Sequence, residues 1–277
     1  MTAADRVPRA LRREWAAAVA LLALSTLGGA AALGPALAPT DPIGIDFGVL
    51  PRSPTVRWLA AAFTVLAFEA TFTYRRLDAN RPERSAEAAA TPADAYASLG
   101  LPNLVTLVRG ALFAGVAGFG LLAPTPAVAW APAILYGAGC ALDAVDGFLA
   151  RRRDRTTELG AKLDLAIDTT GFLVAPVVAV LWGQLPVWYL SLSAARYLFK
   201  LGRGLRRRRG KPVYDLPPSR LRRPLAGLQM AFIAFALAPV LSLSAIRPLA
   251  ALVLAPSLAV FVRDYLAVSG RLPRGDD

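Results

Sequence analysis

Residues 143–168 read DAVDGFLARRRDRTTELGAKLDLAID, and the interpretation of the whole chain depends on this stretch. It carries two pairs of carboxylates: Asp143 with Asp146, three residues apart, and Asp164 with Asp168, four residues apart. Both spacings place the members of a pair on one face of a helix. Apolar sequence flanks the stretch on both sides. We therefore predict two helices that each present a carboxylate pair and are joined by a short basic turn.

These acids predict a metal site. Four carboxylates at the ends of two helices apolar enough to cross a membrane would repel one another unless a cation lay between them. Hard divalent ions such as Mg²⁺ or Mn²⁺ prefer ligand sets made only of oxygen. The chain contains no histidine, which excludes a histidine base and a Ser-His-Asp triad.

The composition is that of a membrane protein. Hydrophobic residues make up 56% of the 277 residues, and the mean hydropathy is +0.47. Apolar runs of about 20 residues alternate with charged segments, as in chains that cross a bilayer several times. We predict an all-α, polytopic integral membrane protein.

The net charge of +12 comes from basic residues in the short loops between apolar runs. Membrane topology and anionic lipid headgroups explain such a distribution. The sequence has no basic segment interleaved with aromatic residues, so we predict no nucleic-acid binding. The single cysteine, Cys140, excludes an intrachain disulfide and carries no information on the redox compartment.

We predict eight spans in two groups. Two accessory transmembrane helices and a linker occupy residues 1–90, and a six-helix core occupies residues 91–277. The predicted spans are 15–39, 56–74, 101–122, 129–150, 160–181, 187–205, 225–243 and 249–266.

The first apolar run has two interpretations. Residues 36–38 could form the cleavage site of a signal peptide. Pro39 directly after that site, and the length of the run, favour a helix that is retained. The sequence gives the two accessory helices no function.

The acidic stretch resembles a known signature. The spacing Asp-x2-Asp-Gly-x2-Ala-Arg-x8-Gly-x3-Asp-x3-Asp is similar to that of the CDP-alcohol phosphotransferases. All eight signature positions are filled in this chain, by Asp143, Asp146, Gly147, Ala150, Arg151, Gly160, Asp164 and Asp168.

The resemblance implies that the core is a catalytic membrane domain. Asp143, Asp146 and Asp164 would bind metal, with Asp168 as ligand and base. A pair of Mg²⁺ or Mn²⁺ ions could hold a diphosphate and stabilise both the attacking and the leaving oxygen. Gly147, Ala150, Arg151 and Gly160 would bind the CDP-alcohol; the glycine after Asp146 lets a ligand approach the backbone, and the arginine supplies a fork for a phosphate.

A polar stripe precedes the acids. Asn103, Thr106 and Arg109 recur every three residues on an otherwise apolar helix. Polar groups at this depth usually face the protein interior or a cavity. The family has a similar stripe near its nucleotide, so the resemblance assigns these residues, with Thr157, to CDP-alcohol binding. The alternative is capping by Asn103 and snorkelling by Arg109.

The implied reaction moves a phosphatidyl group from a CDP-alcohol, CDP-diacylglycerol being favoured, to a small hydroxylated acceptor with release of CMP. Arg155, Arg196 and Lys200 could bind a phosphorylated acceptor such as glycerol 3-phosphate or inositol phosphate. The alternative for these three residues is that they only anchor the cytoplasmic ends of the helices. Three alternatives stay open: a CDP-choline or CDP-ethanolamine donor with diacylglycerol as acceptor, a divalent-cation transporter, and a non-catalytic lipid-binding protein.

The topology also follows from the charges. With residue 1 in the cytoplasm, eight spans place the arginine-rich loops at 75–99, 151–158 and 202–223 on the cytoplasmic side. We predict a bacterial or archaeal cell-membrane protein whose active site faces the cytoplasm. A homodimer is left open.

Overall fold

A computed structural model describes residues 7–37, 53–82, 95–152 and 156–272, with the backbone alone for residues 144 and 146–152. These residues form eight α-helices, with no strand among them, which confirms the predicted all-α class. The helices are α1 Arg9–Leu37, α2 Pro54–Tyr74, α3 Leu101–Gly118, α4 Ala131–Arg152, α5 Glu158–Leu181, α6 Ser191–Arg208, α7 Arg222–Leu237 and α8 Leu243–Val268.

Five helices within the described residues are long and apolar enough to cross a membrane, and they confirm the polytopic prediction. They are α1, α2, α3 with its 3₁₀ extension to Leu121, α5 and α8. Of the other three, α7 has 16 residues and α6 ends in Arg206, Arg207 and Arg208. The predicted number of eight spans stays a prediction.

The boundary between the last two helices differs from the prediction of spans at 225–243 and 249–266. Helix α7 ends at Leu237, and α8 already begins at Leu243. Pro239 explains the early end, because the residue before a proline disfavours the helical conformation. Ser242 explains the early start, since its hydroxyl accepts a hydrogen bond from the Ala245 amide as an N-cap.

The chain forms two compact units, one up to Val178 and one from Ala179. In the first unit α3 packs against both α2 and α4, and α1 packs against α2. A glycine on α3 permits close approach of α2: a Cβ at Gly118 would lie 2.5 Å from the Trp58 indole. The predicted division at residue 90 stays a prediction.

The second unit has a polar core of its own. Gln229 on α7 donates to the Ser257 hydroxyl on α8 at 2.8 Å and accepts from the Tyr189 hydroxyl. Gln229 is buried, so these partners satisfy an amide that would otherwise be costly to bury. Asp264 on α8 pairs with Arg222 of α7 at 2.7 Å.

Candidate active site

Arg109 of α3 lies at the centre of three carboxylates. Its Nη2 atom lies 2.7 Å from Oδ1 of Asp143 on α4 and 2.7 Å from Oδ1 of Asp168 on α5. Its Nη1 atom lies 2.7 Å from Oδ1 of Asp164, one turn earlier on α5. One guanidinium therefore holds carboxylates from two helices that follow one another in the chain.

The cluster has a closed side and an open side. The Arg109 side chain is fully buried, whereas the exposed fractions are 37% for Asp143, 48% for Asp164 and 24% for Asp168. The arginine thus forms the floor of the site, and the carboxylates are reachable from the opposite side. Complete burial also excludes the alternative that Arg109 snorkels to the membrane surface.

The carboxylates fit a divalent ion. One oxygen from each of Asp143, Asp164 and Asp168 can be chosen so that all three lie within 4.8 Å of one another. Ligands on opposite sides of a Mg²⁺ ion stand about 4.2 Å apart, twice its usual bond length. Small side-chain movements would therefore suffice to coordinate an ion. Three carboxylates and one guanidinium leave a formal charge of −2, which favours a cation at this site.

A phenylalanine wedge sets the spacing of the three helices. The ring of Phe113, one turn after Arg109 on α3, lies between Gly139 of α4 and Gly171 of α5. A Cβ at Gly139 would lie 2.4 Å from the ring, and one at Gly171 would lie 2.7 Å from it. Both glycines stand within one turn of a carboxylate, so the close approach that they permit brings the acids together.

A second polar cluster joins the first turns of α3 and α5. The Asn103 amide nitrogen lies 3.4 Å from the Thr157 hydroxyl, which accepts the Gly160 amide at 2.9 Å and so caps α5. A Cβ at Gly160 would lie 2.7 Å from the Asn103 side-chain oxygen, so this position has no room for a side chain. Thr106 is buried between the two clusters and donates to the Pro102 carbonyl at 3.0 Å.

The remaining predicted site residues are less fully described. Asp146, Gly147, Ala150 and Arg151 lie on α4, where the structure gives the backbone alone. Arg155 lies outside the described residues. Arg196 is half-buried and Lys200 is exposed, both on α6 in the second unit. The assignments of all these residues to metal, nucleotide or acceptor stay predictions.

The structure shows a connection to the accessory region that the sequence does not predict. Asn80, which follows α2, is fully buried, and its side-chain oxygen accepts from the Asn103 amide at 3.2 Å. Arg81 forms a two-point ion pair with Glu158 at 3.2 Å. Asn80, Arg81 and Pro82 fall in the predicted linker, since a pairing across more than 20 residues leaves no local pattern in the sequence.

Comparison with known proteins gives one family. The profile of the CDP-alcohol phosphatidyltransferase family matches residues 99–262, which is more than half of the 277-residue chain. The match begins just before α3 and so includes both polar clusters, but neither α1 nor α2.

Curated relatives match a shorter stretch. A CDP-diacylglycerol–glycerol-3-phosphate 3-phosphatidyltransferase of Yersinia enterocolitica is 37% identical over 100 residues, 35% of this chain and 52% of that protein. A putative cardiolipin synthase of Mycobacterium tuberculosis is 35% identical over 98 residues, 35% of this chain and 46% of that protein. The chain thus spans about half the length of the curated relatives that it matches.

Proposed function

The chain belongs to the CDP-alcohol phosphatidyltransferase family, and on that premise we propose that it transfers a phosphatidyl group from CDP-diacylglycerol to a small hydroxylated acceptor and releases CMP. The observation that carries the proposal is the cluster of three carboxylates around a buried arginine. The open side of this cluster offers hard oxygen ligands to a cation. The diphosphate of the donor is a polyanion, and a bound cation would neutralise part of its charge.

The carboxylate residues Asp143, Asp146, Asp164 and Asp168 would hold Mg²⁺ or Mn²⁺, in our proposal two ions. When bound, such ions neutralise the diphosphate and stabilise charge on the attacking and leaving oxygens. Arg109 would hold the carboxylates in place from the buried side of the site. Its Nη2 atom contacts Asp143 and Asp168, and its Nη1 atom contacts Asp164.

Asp168 would act as the base. It would take the proton of the acceptor hydroxyl while the acceptor oxygen forms a bond to the phosphorus that carries the lipid. The bond from that phosphorus to the CMP oxygen breaks, and CMP leaves with the electron pair. The hydrogen bond from Arg109 to Oδ1 fixes the Asp168 carboxylate, and its second oxygen can accept the proton.

Asn103, Thr157 and Gly160 would bind the cytidine end of the donor, with Thr106, Gly147, Ala150 and Arg151. The support is positional: Asn103 and Thr157 lie at the first turns of α3 and α5, whose bodies carry Arg109, Asp164 and Asp168. The apolar tails of the donor would lie at bilayer depth against the helices.

The acceptor that we propose is glycerol 3-phosphate. The similarity to an enzyme named for that substrate supports it. The assignment of Arg155, Arg196 and Lys200 to the acceptor stays a prediction from the sequence. The second candidate is a cardiolipin synthase activity, supported by the similarity to the mycobacterial protein. Cardiolipin carries two phosphatidyl groups on one glycerol, so that activity would require phosphatidylglycerol as acceptor.

We place the protein in a bacterial or archaeal cell membrane with its active site towards the cytoplasm. The apolar helices and the bacterial relatives support an integral membrane protein. The arginine-rich loops support the orientation, because cytoplasmic loops carry an excess of Lys and Arg. The water-soluble acceptor would then enter, and CMP would leave, on the cytoplasmic side.

Product analysis tests the acceptor. The purified protein is given CDP-diacylglycerol, Mg²⁺ and one acceptor at a time: glycerol 3-phosphate, inositol phosphate, inositol, serine or phosphatidylglycerol. We expect CMP release and a new phospholipid with glycerol 3-phosphate. Turnover with phosphatidylglycerol alone would replace this acceptor by the second candidate, and absence of CMP release with every acceptor would contradict the proposed reaction.

A further inference from the structure

The segment Leu77–Pro82 follows α2 and lies before the part of the chain that matches the family. Asn80 in this segment is fully buried and is bonded to the residues that lead into α3. Its side-chain nitrogen donates to the Ser98 carbonyl at 2.8 Å and points at the Tyr96 carbonyl at 3.4 Å. The main-chain carbonyl of Asn80 accepts a hydrogen bond from the main-chain amide of Tyr96 at 2.7 Å. Asn80 therefore anchors the chain just before the first core helix.

The other end of the Asn80 amide reaches Asn103. Oδ1 of Asn80 accepts from Nδ2 of Asn103 at 3.2 Å. The same nitrogen lies 2.9 Å from the Leu99 carbonyl and 3.4 Å from the Thr157 hydroxyl. Rotating the Asn103 side-chain amide by 180° would place its oxygen against Oδ1 of Asn80 and the main-chain carbonyl of Leu99. Neither of these oxygens can donate a hydrogen bond. Asn80 and Leu99 together thus fix which way the Asn103 amide points, and its oxygen faces Gly160.

Arg81 attaches the same segment to the start of α5. Its main-chain carbonyl accepts the Glu158 amide at 3.1 Å, and its guanidinium forms the two-point pair with the Glu158 carboxylate. Pro82 lies opposite Thr157 in an isolated antiparallel bridge. The amides of the first turn of a helix have no partner within that helix. The segment satisfies one of them and holds Thr157 in register.

We propose that Asn80 is a positioning residue for nucleotide binding, which acts by orienting Asn103 and does not itself touch the nucleotide. The adjacent Arg81 and Pro82 hold Thr157 and the start of α5. The inference rests on the proposed function, because it assigns the cytidine end of the donor to Asn103 and Thr157. It makes the segment after α2 a working part of the site, although the family match begins at residue 99.

The test compares two buried substitutions in the 277-residue chain. Asn80→Ala removes the Asn80 amide, whereas the control Thr73→Val removes one buried hydroxyl that donates to the Glu69 carbonyl within α2. We measure the dissociation constant of CDP with Mg²⁺ present, the KM and kcat for CDP-diacylglycerol, and the melting temperature. We expect Asn80→Ala to weaken CDP binding and raise KM about tenfold, because a misoriented Asn103 would lose about one hydrogen bond to the nucleotide. We expect kcat to stay within about twofold.

Thr73→Val should leave CDP affinity unchanged even where it lowers the melting temperature. A loss of CDP affinity in both variants, in proportion to their loss of stability, would overturn the proposal, because it would reduce Asn80 to a structural residue.

A double-mutant cycle separates positioning from direct contact. If Asn80 acts through Asn103, Asn80→Ala should have little further effect on CDP binding in an Asn103→Ala background. Fully additive effects would overturn the proposal.

Arg81→Ala provides a second variant should Asn80→Ala not fold, since the Arg81 side chain is 39% exposed. We expect it to weaken CDP binding about threefold, a modest effect because the ion pair is partly exposed; unchanged CDP binding in this variant would overturn the role of the segment.

Measurements on the wild-type protein separate a failure of the positioning role from a failure of the proposed function. If it binds CDP and releases CMP while Asn80→Ala and Arg81→Ala behave as wild type, only the positioning role is wrong. If the wild type neither binds CDP nor releases CMP, the proposed function is wrong and the positioning role falls with it.

Discussion

Asp168→Asn should lower kcat by at least about 10²-fold, the range typical of removing a general base. The amide keeps the shape of the carboxylate and can still accept a hydrogen bond from Arg109 at its oxygen. It cannot take up the proton of the acceptor hydroxyl at neutral pH. On the proposed mechanism, the change would remove the proton transfer and one anionic metal ligand, while the helix packing around α5 would stay intact.

The matched control is Asp143→Asn on α4, which also pairs with Arg109 but is assigned to metal binding alone. CMP release is measured as a function of both CDP-diacylglycerol and Mg²⁺ concentration. Asp143→Asn should be restored in part by high Mg²⁺, whereas Asp168→Asn should stay slow at every Mg²⁺ concentration. A near-normal kcat for Asp168→Asn would rule out Asp168 as the base.

Arg109→Gln should reduce kcat/KM by at least about 10²-fold as well. Breaking a fully buried ion pair costs about 3–5 kcal/mol. The carboxylates of Asp143, Asp164 and Asp168 are 24–48% exposed, so we expect a smaller loss of stability here. Here three carboxylates lose one common cation, so their repulsion would spread α4 and α5 apart. The glutamine amide is uncharged and shorter than the guanidinium fork, so it can neither neutralise the carboxylates nor reach them on two sides.

Arg109→Lys is the control variant, since it keeps the charge but replaces the fork by a single ammonium group. We expect an intermediate loss of activity and a smaller loss of stability than in Arg109→Gln. Mn²⁺ affinity and CDP affinity, measured separately, distinguish two roles for this arginine. Weakened Mn²⁺ binding in both variants supports a role in holding the carboxylates; unchanged Mn²⁺ binding with weakened CDP binding would instead support direct contact with the nucleotide.

The helices of this protein were largely predictable because each carries its own signal. An apolar run long enough to cross a bilayer is visible in the sequence, and so is the spacing of two acids on one helical face. The end of α7 was less predictable, since the apolar composition continues past Leu237 and the break depends on Pro239 alone.

The interior of the site was less predictable than its helices. The sequence marked Arg109 as a polar residue on an apolar helix, but the direction of its side chain depends on how α3 is rotated against α4 and α5. That rotation depends on the Phe113 ring between Gly139 and Gly171, a contact among residues that lie far apart in the sequence. Small residues are common in membrane helices, so neither glycine stood out.

The sequence does not predict the contact between Asn80 and Asn103, for a related reason. A single asparagine after a helix is an ordinary turn residue, and only its burial against Asn103 distinguishes it. The same holds for Arg81, whose partner Glu158 lies 77 residues away in the sequence.

In our proposal, the carboxylates around Arg109 form a metal-dependent site for phosphatidyl transfer. The most direct test is CMP release from CDP-diacylglycerol by protein stripped with EDTA, dialysed extensively and then titrated with Mg²⁺ or Mn²⁺. We predict no turnover in the stripped protein and full recovery on titration, with a much weaker Mn²⁺ response in Asp164→Asn. Full CMP release by the stripped protein would contradict the claim.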